Sequence, residues 1–141
     1  MKRSATVAWL GGLKDGKGSI STESQALNAV PYSFRTRFED QPGTNPEELL
    51  GAAHASCFSM ALANQLGEAG LPPERIDTKA TVTLERLDTG LAITHVHLDV
   101  VVKSPGADRG KFEEAAHKAK TGCPLSKVLR AEISMDARLD A

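Results

Sequence analysis

The segment from Pro46 to about Ala69 constrains the fold of this chain more than any other part of the sequence. Asn45 is a good N-cap, proline suits the first helical position, and Glu48 stands three residues after the cap, as in a capping box. Gly70 and the two prolines that soon follow it end the helix. Because Ala, Leu and Met occupy nearly every face between these limits, the sequence predicts a long helix that is buried almost all round.

One face of this long helix carries the residues that we expect to pack most closely against the rest of the protein. They recur at helical spacing: Leu50, Ala53, Cys57, Met60, Ala61 and Asn64. Other apolar residues flank this face on both sides: Ala52, Ala55, Phe58 and Leu62. A cysteine therefore lies in the middle of the predicted buried stripe.

Shorter elements precede and follow the long helix. Alternating residues and turn signals predict strands at 5–10, 18–25, 32–39, 78–87, 91–103 and 132–139, and helical spacing predicts an amphipathic helix at 108–121 and a short helix from Pro124. This order is typical of an α+β protein with a mostly antiparallel sheet. The length of 141 residues suits a single domain, 1–141.

The charge and hydropathy of the chain argue against several classes of protein. A formal net charge of −1 is unlike that of a nucleic-acid-binding protein, which needs a basic surface. The sequence has no stretch of about 18 apolar residues, so we expect no membrane span. Polar residues and glycines interrupt the N-terminal segment MKRSATVAWLGGL, which predicts no signal peptide and a cytoplasmic location.

The two cysteines are the residues on which the functional interpretation depends. In a reducing compartment they are not structural disulfides, which leaves inert core residues, metal ligands or redox chemistry. Cys57 lies on the apolar helix face, where a free cysteine often acts as a small hydrophobic residue. Cys123 lies between Gly122 and Pro124, at the expected N-terminus of a helix, where free N–H groups stabilise a thiolate. Local physics alone therefore makes Cys123 the more acidic thiol.

Two thiols placed in this way suit a dithiol peroxidase mechanism. A thiolate attacks the O–O bond of a peroxide and becomes a sulfenic acid, and a second thiol then condenses with it to form a disulfide. A disulfide requires Cα atoms within about 7 Å of each other. A separation of 66 positions gives no local constraint on that distance.

Peroxide cleavage also needs a cation, which lowers the thiol pKa and stabilises the charge on the leaving oxygen. Arg35, Arg37 and Glu39 share one face of the predicted strand at 32–39, and arginine suits this role because its donor fork is rigid and always charged. Glu47 is a candidate to hold the arginine. Since Glu47 and Cys57 are ten residues apart on one helix, about 15 Å, a site that uses both needs a second copy of the chain.

The histidines leave alternatives open. His54, one turn before Cys57, has three possible roles: activation of the thiol, metal binding, or an ordinary hydrogen bond inside the protein. His95 and His97 share a face of the strand at 91–103. Such a pair can bind a metal, but without a nearby third ligand we expect polar packing or solvent contact there. The sequence contains no C-x-x-C, Walker, G-x-G-x-x-G or H-E-x-x-H motif.

The residues around the cysteines form two specific motifs. The run PYSFRTRFEDQPGTNPEELLGAAHASCFSMAL, together with KTGCPLSKVL near the C-terminus, resembles the OsmC/Ohr family of organic hydroperoxide reductases, and the likeness extends over nearly the whole chain. The segment GKGSISTES and the arginine shortly before GTNPEEL resemble the OsmC branch of that family.

The resemblance implies a fold and a mechanism. Proteins of this family are intertwined homodimers in which mostly antiparallel sheets wrap two long central helices. By this likeness Cys57 is the peroxidatic cysteine, Cys123 resolves it as an intramolecular disulfide, and Arg37 and Glu47 activate it, which overrides the local argument for Cys123. The family implies a dithiol reductant such as a lipoyl group and no haem, flavin or metal.

We therefore predict a thiol peroxidase that acts in oxidative or osmotic stress defence. Organic hydroperoxides are the expected substrates, with hydrogen peroxide a poorer one, since the apolar residues Phe58, Met60 and Leu125 flank the cysteines in sequence. One rival is a redox-responsive or ligand-binding dimer whose disulfide changes a surface without turnover. Another is a metal site built from His54, Cys57 and Cys123.

Overall fold

A computed structural model describes all 141 residues and divides them into two compact units. The first unit comprises Met1–Leu49 and the second comprises Leu50–Ala141, and each is described by itself. The single domain that the length predicts stays a prediction. None of the helices combines the length and hydropathy that crossing a membrane requires.

The first unit contains a small antiparallel sheet. Its strands are β1 (Ala5–Leu10), β2 (Lys17–Thr22) and β3 (Val30–Tyr32), in the order β1-β2-β3. The rings of Trp9 and Tyr32 meet across β2 with centroids 5.5 Å apart, and Gly18 lies between them. A side chain at Gly18 would collide with both rings, so this position requires glycine.

The prediction of a strand at 32–39 is wrong beyond Tyr32, because the chain there forms a short helix, α1 (Phe34–Phe38). Ser33 caps this helix: its hydroxyl accepts from the Thr36 N–H at 3.4 Å, and its own N–H donates to the Thr36 hydroxyl at 2.9 Å. This reciprocal pair satisfies two backbone donors locally and overrides the alternating apolar pattern. Residues two apart on a helix face different directions, so Arg35 and Arg37 do not share a face.

The long helix α2 runs from Pro46 to Glu68, and its N-cap is the one predicted. The Glu48 N–H donates to the Asn45 side-chain oxygen at 2.8 Å. The Glu48 carboxylate does not close the capping box but accepts from the Thr44 hydroxyl at 2.9 Å. Asn45 therefore caps the helix without a reciprocal contact from Glu48, whose carboxylate bonds to Thr44 instead.

The buried face of α2 differs from the predicted one. The fully buried residues recur about every four positions: Gly51, His54, Phe58, Leu62 and Leu66. Met60, from the predicted stripe, is 77% exposed in the single chain. A helix that is apolar nearly all round gives no periodic signal to select one face, so the packing partner makes the selection.

The second unit has a three-stranded mixed sheet. Strands β4 (Arg75–Leu87) and β5 (Gly90–Lys103) form the predicted antiparallel hairpin. Strand β6 (Glu132–Asp140) pairs with β5 in parallel. A parallel pair needs a crossover, and helices α3 (Arg109–Gly122) and α4 (Pro124–Val128) provide it. The α+β class with mostly antiparallel pairing is confirmed, and this one parallel pair is the exception.

The core of the second unit lies on one face of this sheet. Alternate residues of β5 point into it, from Val96 to Val102, because side chains alternate between the two faces of a strand. Phe58 of α2 and Phe112 of α3 are the largest side chains that pack there. Cys123 belongs to this core with no exposed surface, and Cys57 packs at its margin.

Candidate active site

The two cysteines meet in the second unit. Cys57 projects from α2 and is half-buried, and Cys123 caps α4 and is fully buried. The Cys123 thiol donates to the Cys57 sulfur, and the two Sγ atoms are 3.0 Å apart. The structure therefore gives the proximity that the sequence left open, and the two thiols need only a small movement to form a disulfide.

Burial has the largest effect on the pKa of the Cys57 thiol. Burial raises the pKa of Cys57 above its ordinary value, and the hydrogen bond shared with Cys123 and the charge on that neighbouring sulfur raise it further. The backbone N–H of Leu125 opposes this by hydrogen bonding to the Cys57 sulfur, which lowers the pKa. The free N–H group at the start of α4, which the sequence suggested would act on Cys123, thus acts on Cys57.

Arg37 and Glu47 form an ion pair in the first unit. The Arg37 Nε donates to the two carboxylate oxygens at 3.1 and 3.2 Å, and its Nη2 donates at 2.7 Å. Arg35 pairs instead with Glu39, four residues along the chain, and both side chains are largely exposed. The Glu47 side chain is only 12% exposed. The structure therefore pairs Glu47 with Arg37, the arginine that the family likeness favours, and not with Arg35.

A small aromatic pocket adjoins Arg37 within the first unit. It has a volume of about 210 Å³ and is lined by Trp9, Leu13, Tyr32, Ser33, Phe34, Arg37 and Phe38. The guanidinium carbon of Arg37 lies 5.0 Å from the centre of the Phe38 ring, a cation–π distance. A cation and an apolar surface thus occur side by side. No pattern in the sequence indicates this pocket, because its residues come from β1, the loop after it, the end of β3 and α1.

His54 is fully buried and makes no hydrogen bond to a cysteine. Its Nε2 lies 2.8 Å from the Ser126 hydroxyl, and its Nδ1 has no partner. Burial lowers its pKa, so the ring is neutral at pH 7. With Nε2 bonded to Ser126, the geometry supports neither activation of Cys57 by His54 nor a metal site that joins His54 to the cysteines.

His95 and His97 lie on the face of β5 opposite the core. Both rings hydrogen bond to the Ser134 hydroxyl of β6, as expected for polar packing. The structure also places two carboxylates beside His97, which the sequence analysis did not take into account. The His97 Nε2 is 3.4 Å from an Asp99 oxygen and 3.1 Å from an Asp136 oxygen, and these three residues place possible ligand atoms within 4.8 Å of one another. The sequence missed Asp136 because only the β5–β6 register brings it close.

Comparison with known proteins assigns the family. Residues 38–138 match the family described as OsmC-like protein. The chain belongs to the OsmC-like family. It is 56% identical to Peroxiredoxin OsmC of Escherichia coli strain K12 over 93% of this chain and 92% of the relative. It is 28% identical to the organic hydroperoxide resistance protein OhrB of Bacillus subtilis, over 86% of this chain and 88% of that protein, so the expected OsmC branch is confirmed.

Solved structures support the same OsmC-like fold. The crystal structure of OhrB from Bacillus subtilis has a TM-score of 0.67 at 26% identity and covers 97% of this chain and 98% of its own. An OsmC-like protein of unknown function from Vibrio cholerae has a TM-score of 0.77 at 17% identity, with 97% of this chain and 99% of that chain covered. At that identity the second likeness concerns the fold alone.

Proposed function

We propose that this OsmC-like chain is a cysteine-based peroxidase that reduces organic hydroperoxides to alcohols. The observation that carries the proposal is the 3.0 Å distance between the sulfurs of Cys57 and Cys123. Two free thiols at this distance suit rapid disulfide formation after one of them is oxidised. The relatives named for peroxiredoxin activity and for resistance to organic hydroperoxides support the same reaction.

The reaction begins with oxidation of Cys57. Its thiolate attacks one oxygen of the peroxide, the O–O bond breaks, and the leaving alkoxide takes up a proton to become the alcohol. Cys57 then carries an S–OH group. The Cys123 sulfur attacks that sulfur, the S–S bond forms, and the S–O bond breaks to release water. Cys57 is the attacking residue in this proposal because it is the more accessible of the two, and Cys123 is buried.

Arg37 and Glu47 activate the peroxide and the thiol in this proposal. The Arg37 fork provides a fixed positive charge for the thiolate and for the leaving oxygen, and Glu47 holds the fork through three hydrogen-bond contacts. Because Glu47 and Cys57 are about 15 Å apart along α2, the pair that serves each Cys57 comes from a second copy of the chain.

Apolar surface left open in the single chain supports such a homodimer. Met60 on α2, together with Val7 and Leu10 on β1, is more than half exposed, at 77%, 55% and 75%. Side chains of this kind favour burial against a partner. We propose that two copies intertwine around their two α2 helices.

The aromatic pocket beside Arg37 supports an organic substrate. An alkyl or aryl group that occupied it would place a peroxide near the guanidinium, and hydrogen peroxide has no group to fill it. The residues first considered for this role do not form the pocket, since Phe58 is in the core and Met60 is exposed.

A dithiol must return the disulfide to two thiols after each turnover. We propose a lipoyl-type reductant and a cytoplasmic location, where reducing conditions support this step. No haem, flavin or metal is needed, because the two sulfurs supply both electrons. The proposed role is defence against oxidative or osmotic stress.

The first test is steady-state loss of cumene hydroperoxide and of hydrogen peroxide with excess dithiol. We expect many turnovers, a preference for the organic peroxide, and loss of activity in Cys57→Ser. One stoichiometric oxidation without turnover would instead support a redox-responsive binding protein.

A mixing experiment tests the shared site. Arg37→Ala and Cys57→Ser variants are each expected to be almost inactive. After random exchange about half of the dimers are mixed, and each of these has one complete site, so about a quarter of the wild-type activity should return. No recovery would place Arg37 and Cys57 of one chain in the same site.

A further inference from the structure

Two contacts, one helical turn apart, join α2 to the segment that carries Cys123. On α2, His54 precedes Cys57 by three residues, and on the other side Ser126 follows Cys123 by three residues. The His54 Nε2 lies 2.8 Å from the Ser126 Oγ, and the two sulfurs lie 3.0 Å apart. The hydrogen bond thus holds α4 against α2 directly beside the two thiols.

Helix α4 depends on such contacts for its position. It has only five residues and none of them is fully buried, and a helix of one turn is not stable by itself. Leu125 and Leu129 pack at the edge of the core. The hydrogen bond from His54 to Ser126 is the one side-chain hydrogen bond that α4 makes to another element.

The position of α4 matters because Cys57 receives two of its contacts from there. The Cys123 thiol comes from the N-cap of α4, and the backbone N–H that hydrogen bonds to the Cys57 sulfur comes from Leu125 in the first turn. A shift of α4 would therefore change both the attack distance between the sulfurs and the stabilisation of the Cys57 thiolate.

His54 itself is unfavourably placed for stability alone. It has no exposed surface, and one of its two ring nitrogens has no hydrogen-bond partner. A buried polar atom without a partner costs free energy that an apolar side chain would not. A neutral ring carries one N–H, and Nε2 has the only partner, so Nε2 donates to Ser126.

We propose that His54 and Ser126 are positioning residues for disulfide formation, an inference that rests on the proposed peroxidase function. They hold Cys123 in place for attack on the Cys57 sulfenic acid, with S–S formed, S–O broken and water released. A second peroxide competes for that sulfenic acid, converts it to a sulfinic acid and is itself reduced to the alcohol. The speed of the first step decides how much enzyme is lost to the second.

The test compares four variants with the wild type. Ser126→Ala and His54→Leu remove the hydrogen bond, and His54→Gln keeps a donor near the position of Nε2. Ser59→Ala is the matched control, since it removes a hydroxyl of α2 that hydrogen bonds to the Thr78 hydroxyl of β4 at 2.7 Å and to the Ala55 carbonyl, and not to α4. Rapid quenching after peroxide addition measures the disulfide, and mass spectrometry measures the sulfinic acid.

Ser126→Ala and His54→Leu are expected to form the disulfide about tenfold or more slowly, because a small misplacement of reacting groups has a large effect on rate. The peroxide concentration that converts half of Cys57 to sulfinic acid should fall by the same factor. His54→Gln and Ser59→Ala should stay within about twofold of the wild type. Disulfide formation at the wild-type rate in both bond-removing variants, or an equal loss in Ser59→Ala, would overturn the proposal.

A second measurement separates this inference from the peroxidase itself. The dithiol–disulfide equilibrium of Cys57 and Cys123 in a dithiothreitol redox buffer needs no peroxide. The bond-removing variants should favour the dithiol by about tenfold relative to the wild type and to Ser59→Ala. If the wild type forms the disulfide in this buffer but does not turn over peroxide, the peroxidase proposal fails. If Ser126→Ala and His54→Leu have the same dithiol–disulfide equilibrium constant as the wild type, the positioning role is overturned, whatever the peroxidase assay shows.

Discussion

Replacement of Glu47 by glutamine tests how the Arg37 fork is held. In the wild type the carboxylate accepts from Nε at 3.1 and 3.2 Å and from Nη2 at 2.7 Å. A glutamine has one carbonyl oxygen and no charge. Its NH₂ group is a donor and cannot accept a hydrogen bond from the guanidinium. Glu47→Gln therefore keeps the shape of the side chain but removes the bidentate, charge-assisted pairing.

The size of the effect follows from the exposure of the pair. Hydrogen bonds to charged groups contribute about 1.5–3 kcal/mol when buried, whereas exposed ion pairs contribute about 1 kcal/mol or less. The Arg37 and Glu47 side chains are 34% and 12% exposed, between these limits. We expect a loss of about 1.5 kcal/mol of transition-state stabilisation, which is about a tenfold fall in kcat/KM.

The assay is the initial rate of cumene hydroperoxide loss over a range of peroxide concentrations with saturating dithiol. Two matched controls make the same change of charge: Glu48→Gln removes an acid that accepts from Thr44, and Glu39→Gln removes the partner of Arg35. Both should keep kcat/KM within about twofold of the wild type. A wild-type kcat/KM in Glu47→Gln, or an equal loss in either control, would show that Glu47 does not hold Arg37 for catalysis.

Three further outcomes are expected. Cys123→Ser should use one equivalent of peroxide to form the Cys57 sulfenic acid and a second equivalent to convert it to the sulfinic acid, which mass spectrometry detects. Sustained turnover at the wild-type rate would contradict the resolving role of Cys123. Phe58→Ala should lower the free energy of unfolding by about 3–5 kcal/mol in denaturant titration, because Phe58 has no exposed surface, and a loss below about 1 kcal/mol would contradict this core. His54 should make the free energy of unfolding fall as the pH drops below 6.5, because burial lowers its pKa in the folded protein and the unfolded chain therefore binds the proton more tightly. A wild type that loses no more stability than His54→Gln over that pH range would contradict this.

Local signals in the sequence predicted most of the elements correctly. The Asn45 cap, the β4–β5 hairpin and the short helix after Cys123 depend on residues close together in the chain, and all three are present. The failure at 32–39 is also local, since the Ser33 and Thr36 capping pair overrides an alternating pattern that suited a strand equally well.

Contacts between distant segments could not be predicted in the same way. The pairing of β6 with β5 in parallel brings Asp136 beside His97, and no short-range pattern encodes that register. The hydrogen bond from His54 to Ser126 joins residues 72 positions apart. The choice of Arg37 over Arg35 as the partner of Glu47 depends on the direction of α1, which the predicted strand did not give.

Motifs and residue types were enough to predict the family and the α+β class, and the family likeness then pointed to the four residues proposed for the site. Tertiary contacts select the buried face of α2, set the distance between Cys57 and Cys123, and bring both Leu125 and Cys123 to the Cys57 sulfur. They are needed because a helix that is apolar on nearly every face can pack in several orientations with similar hydrophobic gain. The sheet and the short helix α4 select one of them, and that selection places the two sulfurs 3.0 Å apart.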